Sequence, residues 1–189
     1  MVTKKQIEEC FPRKPWDHQM DGVVRILRAL ATTDSVCLSA VTGAGKSLMQ
    51  SALAKLCVDN GQGIVIYNAR RGLTAQISQT LEDVGISHGA RAASMKSKKS
   101  LHSLVQVASI QTDIQRVLKQ EVWRPHSAKL VIVDEAHMPN CKSEQAKQLF
   151  QKYLAQGSKI IGMSGTPIGL ADIYKEIIDL VPNSEMRRI

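Results

Sequence analysis

Residues 35–47 of the chain read SVCLSAVTGAGKS, and this stretch decides the fold. It opens with a short apolar run of the kind that forms strands and then passes through two glycines. Residues 47–59, which follow, have the apolar spacing of a helix. A strand that leads through a glycine-containing loop straight into a helix is typical of a parallel α/β sheet. We therefore expect strands and helices to alternate along the rest of the chain.

Within this stretch, residues 40–47 (AVTGAGKS) match the phosphate-binding pattern GxxxxGK[ST], except that Ala40 replaces its first glycine. Gly43 and Gly45 allow the backbone amides to fold around an anion at the positive end of the following helix. In this pattern Lys46 reaches the β- and γ-phosphates, and the Ser47 hydroxyl binds magnesium. The alternative is a glycine-containing turn that happens to end in Lys-Ser, and the flanking strand and helix argue against it.

Outward from the loop, short apolar runs alternate with segments of helical spacing. The predicted strands span residues 35–40, 63–67, 104–108, 129–133 and 159–163. The predicted helices span residues 17–31, 47–59, 72–84, 110–119, 143–155 and 170–180, the last stopped by Pro182. Because most of the strands are continuous apolar runs, we expect a mostly parallel sheet with helices on both faces, a three-layer α/β sandwich with right-handed crossovers.

Residues 85–103 are small, polar and basic, and they predict a surface loop. Residues 1–34 place a proline-rich stretch and a helix before the first strand. There is no internal repeat and no domain linker, so we expect a single domain over residues 1–189.

The composition excludes several classes of protein. Apolar residues make up 43 % of the chain and charged residues 22 %, which fits a globular domain rather than a disordered one. No apolar run approaches the ~20 residues that cross a bilayer, and the N-terminus lacks a secretory signal, so we expect a soluble protein, cytoplasmic or otherwise intracellular, with no membrane partner. The four cysteines lie far apart without a CxxC pair, which argues against a zinc site.

The net charge of +8 indicates a polyanionic partner, but an ordinary solvated surface can also carry such a surplus.

A second candidate site follows another predicted strand, where residues 130–137 read LVIVDEAH. Ligands of an open parallel sheet bind at the carboxyl ends of its strands, so Asp134 and Glu135 should lie at the same edge as the phosphate loop. There Asp134 can hold magnesium, and Glu135 can orient or deprotonate an attacking water. His137 is either part of this site or a hydrogen-bonded surface residue.

With AVTGAGKS and DEAH in this order, the sequence resembles the first RecA-like domain of superfamily 2 helicases and translocases. Four other segments are similar to further motifs of that family: PWDHQ (residues 15–19) to the adenine-reading Q motif, NARRGLTAQ (68–76) to motif Ia, VASIQT (107–112) to a backbone-contacting motif, and SGTP (164–167) to motif III. Residues 68–70 depart from the usual PTxxLxxQ form of motif Ia.

The resemblance implies a P-loop NTPase that uses ATP and Mg²⁺. The implied roles are catalysis by Glu135, Lys46 and Asp134; binding of ATP by Gln19, Thr42, Gly43, Ala44, Gly45, Lys46, Ser47 and Leu48; binding of Mg²⁺ by Ser47 and Asp134; and coupling by His137, Ser164 and Thr166. Trp16 is implied to stack near the base.

The resemblance also implies a nucleic-acid partner, DNA more than RNA, bound through its phosphate backbone. The implied contacts are Arg70, Arg71, Gln76, Ser109 and Thr112. Arg91, Lys96, Lys98 and Lys99 either extend this track or belong to a solvated loop without aromatic residues for base stacking.

Motors of this superfamily use two RecA-like domains, and the second one supplies an arginine finger worth about 10³-fold or more in rate. Because the chain ends about two dozen residues after SGTP, we expect it to be the first domain alone, nearly inactive without its partner domain. Two other functions stay open: a P-loop ATPase with a substrate other than nucleic acid, and a binding module with a vestigial loop. The intact Lys46, Ser47, Asp134 and Glu135 argue against the latter.

Overall fold

Seven strands and seven α-helices make up the described part of the chain. The computed structural model describes residues 2–95 and 100–180, with only the backbone at Arg71 and Gly72. The helices are α1 (Lys4–Glu9), α2 (Asp17–Thr32), α3 (Lys46–Asp59), α4 (Arg71–Asp83), α5 (Ile110–Asp113), α6 (Pro139–Lys142) and α7 (Glu144–Ala155). The strands are β1 (Ser35–Ser39), β2 (Gly63–Asn68), β3 (Gly89–Arg91), β4 (Val105–Ser109), β5 (Ala128–Asp134), β6 (Lys159–Ser164) and β7 (Glu176–Asp179).

All seven strands form one parallel sheet in the order β3-β4-β2-β5-β6-β1-β7. Each of the five predicted strands is present, and its ends lie within one residue of the prediction. The predicted three-layer α/β fold is confirmed. Because the strands run in the same direction, the loops after β1, β2, β4, β5 and β6 all leave the sheet at one edge.

Helices cover both faces of the sheet, and alternate residues of each strand bury their side chains on opposite faces. Val36 and Leu38 pack against a core shared with α2, α3 and α4, whereas Cys37 between them joins the core under α7. The same alternation holds at Ile64 and Val65 of β2. No described helix is long and apolar enough to span a bilayer.

The prediction of a helix over residues 170–180 is wrong. Most of this segment is turns that end in β7, which pairs in parallel with β1. Leu170, Ile173 and Ile177 have helical spacing, but the run EIID is also β-branched, and β1 offers it an unpaired strand edge. Pairing with a strand some 140 residues earlier is invisible to local periodicity. Pro182 lies outside the described residues.

The prediction that residues 85–103 form a surface loop is wrong for β3, which is buried throughout. Three residues are too short for a detectable apolar pattern, and Arg91 would be costly to bury alone. Its guanidinium is 3 % exposed and donates from Nε to both carboxylate oxygens of Asp113 at 3.0 Å. Arg91 is therefore not part of an exposed basic track, and Lys96, Lys98 and Lys99 lie outside the described residues.

The predicted helix over residues 110–119 is present but divided. Its first turn is α5, and a π-helical segment continues it over Ile114–Lys119. Segments with π-helical hydrogen bonding are rare and occur frequently at functional sites.

Candidate active site

The phosphate loop leaves β1 and runs into α3 with two glycines in the left-handed region. Gly43 has φ +90° and Gly45 has φ +80°, values that favour glycine. A Cβ atom at Gly45 would also collide with the Gln19 amide nitrogen, whereas nothing lies within 4 Å of the corresponding position at Gly43. The amide of Ala40 donates to the carbonyl of Ser164 at 2.8 Å, which ties the start of the loop to the end of β6.

The side chains that follow the loop differ in their surroundings. Lys46 Nζ donates to the carbonyl of Ala40 at 3.0 Å, so the lysine lies across its own loop. Ser47 is exposed in the first turn of α3. Leu48 packs against the core, and its amide donates to the Gly45 carbonyl at 3.0 Å, an i→i−3 bond of the kind that is frequent at helix ends. Thr42 is exposed and contributes to the wall of a neighbouring cavity.

That open cavity, of about 900 Å³, lies between the phosphate loop and the segment that leads into α2. Its lining consists of residues 14–18 and 42–44. Trp16 is 62 % exposed there, with its ring 5.6 Å from that of His18. Gln19 is buried, and its Nε2 donates to the carbonyl of Ala44 at 3.3 Å while its Oε1 accepts from the Trp16 amide at 3.1 Å. Gln19 thus fixes the cavity wall to the phosphate loop.

The acidic pair leaves the sheet two strands from β1, with β6 between. Asp134 ends β5 and accepts from Asn68 Nδ2 at 3.0 Å and from the side chain of Gln50. Burial raises the pKa of Asp134, the neighbouring Glu135 raises it further, and Lys46 acts in the opposite direction. Glu135 has φ +50°, a strained conformation that costs on the order of 1–3 kcal/mol and occurs preferentially at active sites.

His137 connects the acidic pair to the end of β6. Its Nδ1 lies 3.0 Å from Ser164 Oγ and 3.4 Å from the Glu135 carboxylate. The Ser164 hydroxyl donates to the carbonyl of Thr166 at 2.8 Å and accepts from the Thr166 amide at 3.0 Å. Because the only hydroxyl hydrogen is used on Thr166, Nδ1 of His137 must carry a hydrogen and donate. The structure thus joins His137, Ser164 and Thr166 by hydrogen bonds and places the Glu135 carboxylate beside His137.

The oxygen donors present fit magnesium. The Ser47 hydroxyl and the Asp134 carboxylate are hard ligands, and Mg²⁺ is usually held by one or two carboxylates together with phosphates and water. Among the residues that the structure describes, no three His, Cys, Asp or Glu side chains cluster as a complete metal cage. This donor set suits a metal that arrives with a phosphate ligand.

A polar groove of about 480 Å³ lies at the same edge of the sheet, beyond the ends of β3 and β4. Ser109 and Thr112 line it together with Ala93, Ser94, Gln111, Gln115, Arg116 and Gln120. Two other predicted contacts lie elsewhere: Arg70 is exposed before α4, with Nη2 3.9 Å from Met138 Sδ, and Gln76 is exposed on α4. The Arg71 side chain is outside the described part of the chain.

Comparisons with known proteins give the family and the fold of the chain. Residues 13–169 match the family described as type III restriction enzyme, res subunit (ResIII). The chain belongs to the ResIII family. No curated protein sequence matches it. Solved structures similar to the ResIII domain are helicases and related ATPases, and the fold is that of the first RecA-like domain of superfamily 2.

Three of these structures show how much of the fold is shared. The UvsW helicase from bacteriophage T4 has a TM-score of 0.72 at 18% identity, with 94% of this chain and 68% of that chain covered. A DEAD box protein from Methanococcus jannaschii has a TM-score of 0.66 at 19% identity, with 95% and 53% covered. The SWI2/SNF2 ATPase core of Sulfolobus solfataricus, solved with dsDNA, has a TM-score of 0.64 at 16% identity, with 87% and 35% covered. The ResIII domain therefore corresponds to a part of each relative.

Sequence reasoning missed several residues of the ResIII site. Gln50 lies one helical turn after Lys46, and this spacing could have placed it beside Asp134. Arg116 and Gln115 lie on the π-helical segment, whose register a regular helical pattern does not give. Asn68 was visible only as a departure from motif Ia, although it directly follows the predicted strand 63–67 and ends β2 in the structure.

Proposed function

We propose that this ResIII domain binds ATP with Mg²⁺ and is the nucleotide-binding part of a motor that couples ATP hydrolysis to movement on nucleic acid. The observation that carries the proposal is a convergence at one sheet edge. The phosphate loop, the Asp134–Glu135 pair and Ser164 lie at the carboxyl ends of β1, β5 and β6, and these three strands are neighbours. In parallel sheets such an edge is where ligands bind.

The chain's residues divide the work of hydrolysis. The amides of residues 42–45 and the N-terminus of α3 bind the phosphates, and Lys46 exchanges the carbonyl of Ala40 for a phosphate oxygen. Ser47 and Asp134 would hold Mg²⁺, which would neutralise charge on the phosphates. Glu135 orients a water and accepts its proton. Trp16 lines the cavity where the base would bind, and the buried Gln19 holds its wall through Trp16 and Ala44.

Coupling to the motor's track is assigned to His137, Ser164 and Thr166. Glu135 lies 3.4 Å from His137, which hydrogen-bonds Ser164, and Ser164 in turn hydrogen-bonds Thr166, so a change at the nucleotide can reach the loop after β6 through a few contacts. A second RecA-like domain would supply the other half of the nucleotide cleft. We expect the 189-residue chain alone to bind nucleotide weakly, to hydrolyse it very slowly and not to unwind nucleic acid.

We propose that the polar groove around Ser109, Thr112 and Arg116 binds the phosphate backbone of nucleic acid. Hydroxyl, amide and guanidinium donors are the groups that contact phosphates without reading sequence. The VASIQT and DEAH segments favour DNA over RNA, and one similar structure was solved with dsDNA. The net charge of +8 is compatible with a polyanion.

The test is binding of a fluorescent ATP analogue with Mg²⁺ to the wild-type chain, Lys46→Ala and Lys55→Ala. Both lysines lie on α3, and Lys55 is exposed and paired with Asp59, so it controls for lost charge. We expect Lys46→Ala to lose at least tenfold in affinity and Lys55→Ala to stay within twofold. Equal binding by all three proteins would contradict the assigned phosphate site.

Nucleic-acid binding is tested on the wild-type chain and on Arg116→Ala, with single- and double-stranded DNA and RNA at two salt concentrations. We expect weak binding that decreases with salt, and a further decrease in Arg116→Ala. Nucleotide binding without any nucleic-acid binding would favour a P-loop ATPase that acts on another substrate.

A further inference from the structure

Asn68 occupies a central place between the two candidate sites. It is the last residue of β2, in register with Ser109 of β4 on one side and with Asp134 of β5 on the other. Its side chain is fully buried. A buried amide at the edge where both ligands are expected to bind needs hydrogen-bond partners, because an unsatisfied one would cost about 1–3 kcal/mol.

Both ends of the Asn68 amide have such partners. Nδ2 donates to Asp134 Oδ2 at 3.0 Å, and Oδ1 accepts from the backbone amide of Arg70 at 2.7 Å. The orientation of the amide is unambiguous, since a flipped group would face a carboxylate with its oxygen and an N–H with its nitrogen. Asn68 therefore joins the carboxylate at the proposed Mg²⁺ site to Arg70, the residue directly before α4.

Because the side-chain amide of Asn68 is planar, it connects Asp134 and Arg70 rigidly. Oδ1 and Nδ2 belong to one plane, so a rotation that follows movement of the Arg70 amide also moves the donor to Asp134. Arg70 is the N-cap residue of α4, and its own side chain is exposed. A displacement of this helix terminus by a bound polyanion would therefore change the hydrogen bond to Asp134.

We infer that Asn68 is a positioning residue that orients Asp134 for the metal and couples that carboxylate to the start of α4. The inference rests on the proposed function, since it takes Asp134 to bind Mg²⁺. Partners that orient a metal ligand typically contribute 10–100-fold to metal affinity. The residue type matters: aspartate would keep the acceptor for Arg70 but lose the donor, and leucine would lose both.

The test compares the wild-type chain with Asn68→Leu, Asn68→Asp and the control Gln106→Met. Gln106 is a fully buried amide on the adjacent strand β4, and its Nε2 donates to the carbonyls of Ser100 and Ser103, away from Asp134. The affinity for a non-hydrolysable ATP analogue is measured with Mg²⁺ and with EDTA. Circular dichroism establishes that each variant is folded at the assay temperature.

We expect the ratio of the two affinities to fall about tenfold or more in both Asn68 variants and to stay within twofold of wild type in Gln106→Met. Affinity in EDTA should stay within twofold of wild type in every variant. If the wild-type chain gains nothing from Mg²⁺, the proposed function fails. If it does gain and Asn68→Leu keeps the gain, the role of Asn68 alone is wrong.

The hydrogen bond from the Arg70 amide to Asn68 Oδ1 is tested by measuring hydrogen exchange of that amide by NMR. Exchange should be faster in Asn68→Leu and close to wild type in Asn68→Asp, which keeps the acceptor. The Mg²⁺-bound analogue should slow this exchange in the wild-type chain and not in Asn68→Leu. Equal exchange in all forms would overturn the coupling.

Discussion

Replacing Arg91 by methionine tests whether this residue is a buried structural cation or part of a nucleic-acid track. Arg91 and Asp113 are 3 % and 0 % exposed, and Arg91 Nε donates to both carboxylate oxygens. Arg91 Nη2 also donates to the carbonyl of Arg124 at 2.9 Å, and the Asp113 carboxylate accepts from the Tyr67 hydroxyl. Removing one member leaves a buried charge without its partner.

The expected loss follows from this geometry. Breaking a buried pair by deleting one partner typically costs 3–5 kcal/mol, out of a total stability of about 5–15 kcal/mol for a domain. For a chain of 189 residues this corresponds to a decrease in Tm of roughly 6–20 °C. The double variant Arg91→Met/Asp113→Leu should lose less than the sum of the two single changes, because it leaves no orphaned charge.

Urea denaturation followed by tryptophan fluorescence and circular dichroism measures this loss. The Arg91 guanidinium carbon lies 4.9 Å from the centre of the Trp123 ring, and that of the exposed Arg116 lies 5.8 Å from the same centre. Arg116→Met therefore provides a control with the same substitution over the same ring, and it should cost less than about 1 kcal/mol. The reasoning is refuted if Arg91→Met costs no more than Arg116→Met and lowers nucleic-acid affinity instead.

Three further predictions concern the phosphate loop, the thiols and a buried histidine. Gly45→Ala should lower nucleotide affinity at least tenfold, because the new Cβ clashes with Gln19 and a left-handed residue other than glycine costs ~1–2 kcal/mol in folding free energy. The control Gly61→Ala (φ +63°, open space) should carry only this folding cost. Equal nucleotide affinities of the two variants would contradict the packing argument. All four cysteines are buried, and burial raises the pKa of the Cys37, Cys57 and Cys141 thiols to about 12. A thiol reagent should therefore label the folded chain slowly and label all four cysteines after unfolding. Fast labelling of the folded chain would argue against this core. Burial lowers the pKa of His126 below the ordinary 6.5, so His126 of the unfolded chain takes up a proton at a higher pH than His126 of the folded chain. The free energy of unfolding should therefore fall as the pH drops below about 6.5. Urea midpoints at pH 7.5 and 5.5 measure this fall, and His126→Gln should reduce the difference between them.

The sheet was predictable where the signal is local. Each predicted strand is a run of apolar residues covered on both faces, and such runs stand out in the sequence because burial on both sides excludes polar residues. The phosphate loop was predictable for a similar reason, since its conformation requires glycine at fixed positions: Gly43 and Gly45 both have positive φ.

β3 and β7 were not predicted from the sequence because both strands depend on partners that are distant in the chain. β7 lies beside β1 instead of continuing as a helix, and β3 buries Arg91 against Asp113 from 22 residues later. The same holds for Asn68, which looks like a defect in motif Ia until its amide is seen between Asp134 and Arg70.

The sequence by itself determined five of the seven strands, the phosphate loop and the acidic pair, because each depends on residues that are neighbours in the chain. The tertiary structure alone decided which strands lie side by side and which polar side chains meet at their ends. Those contacts arise from parallel pairing between segments far apart in sequence, and no local pattern encodes that pairing.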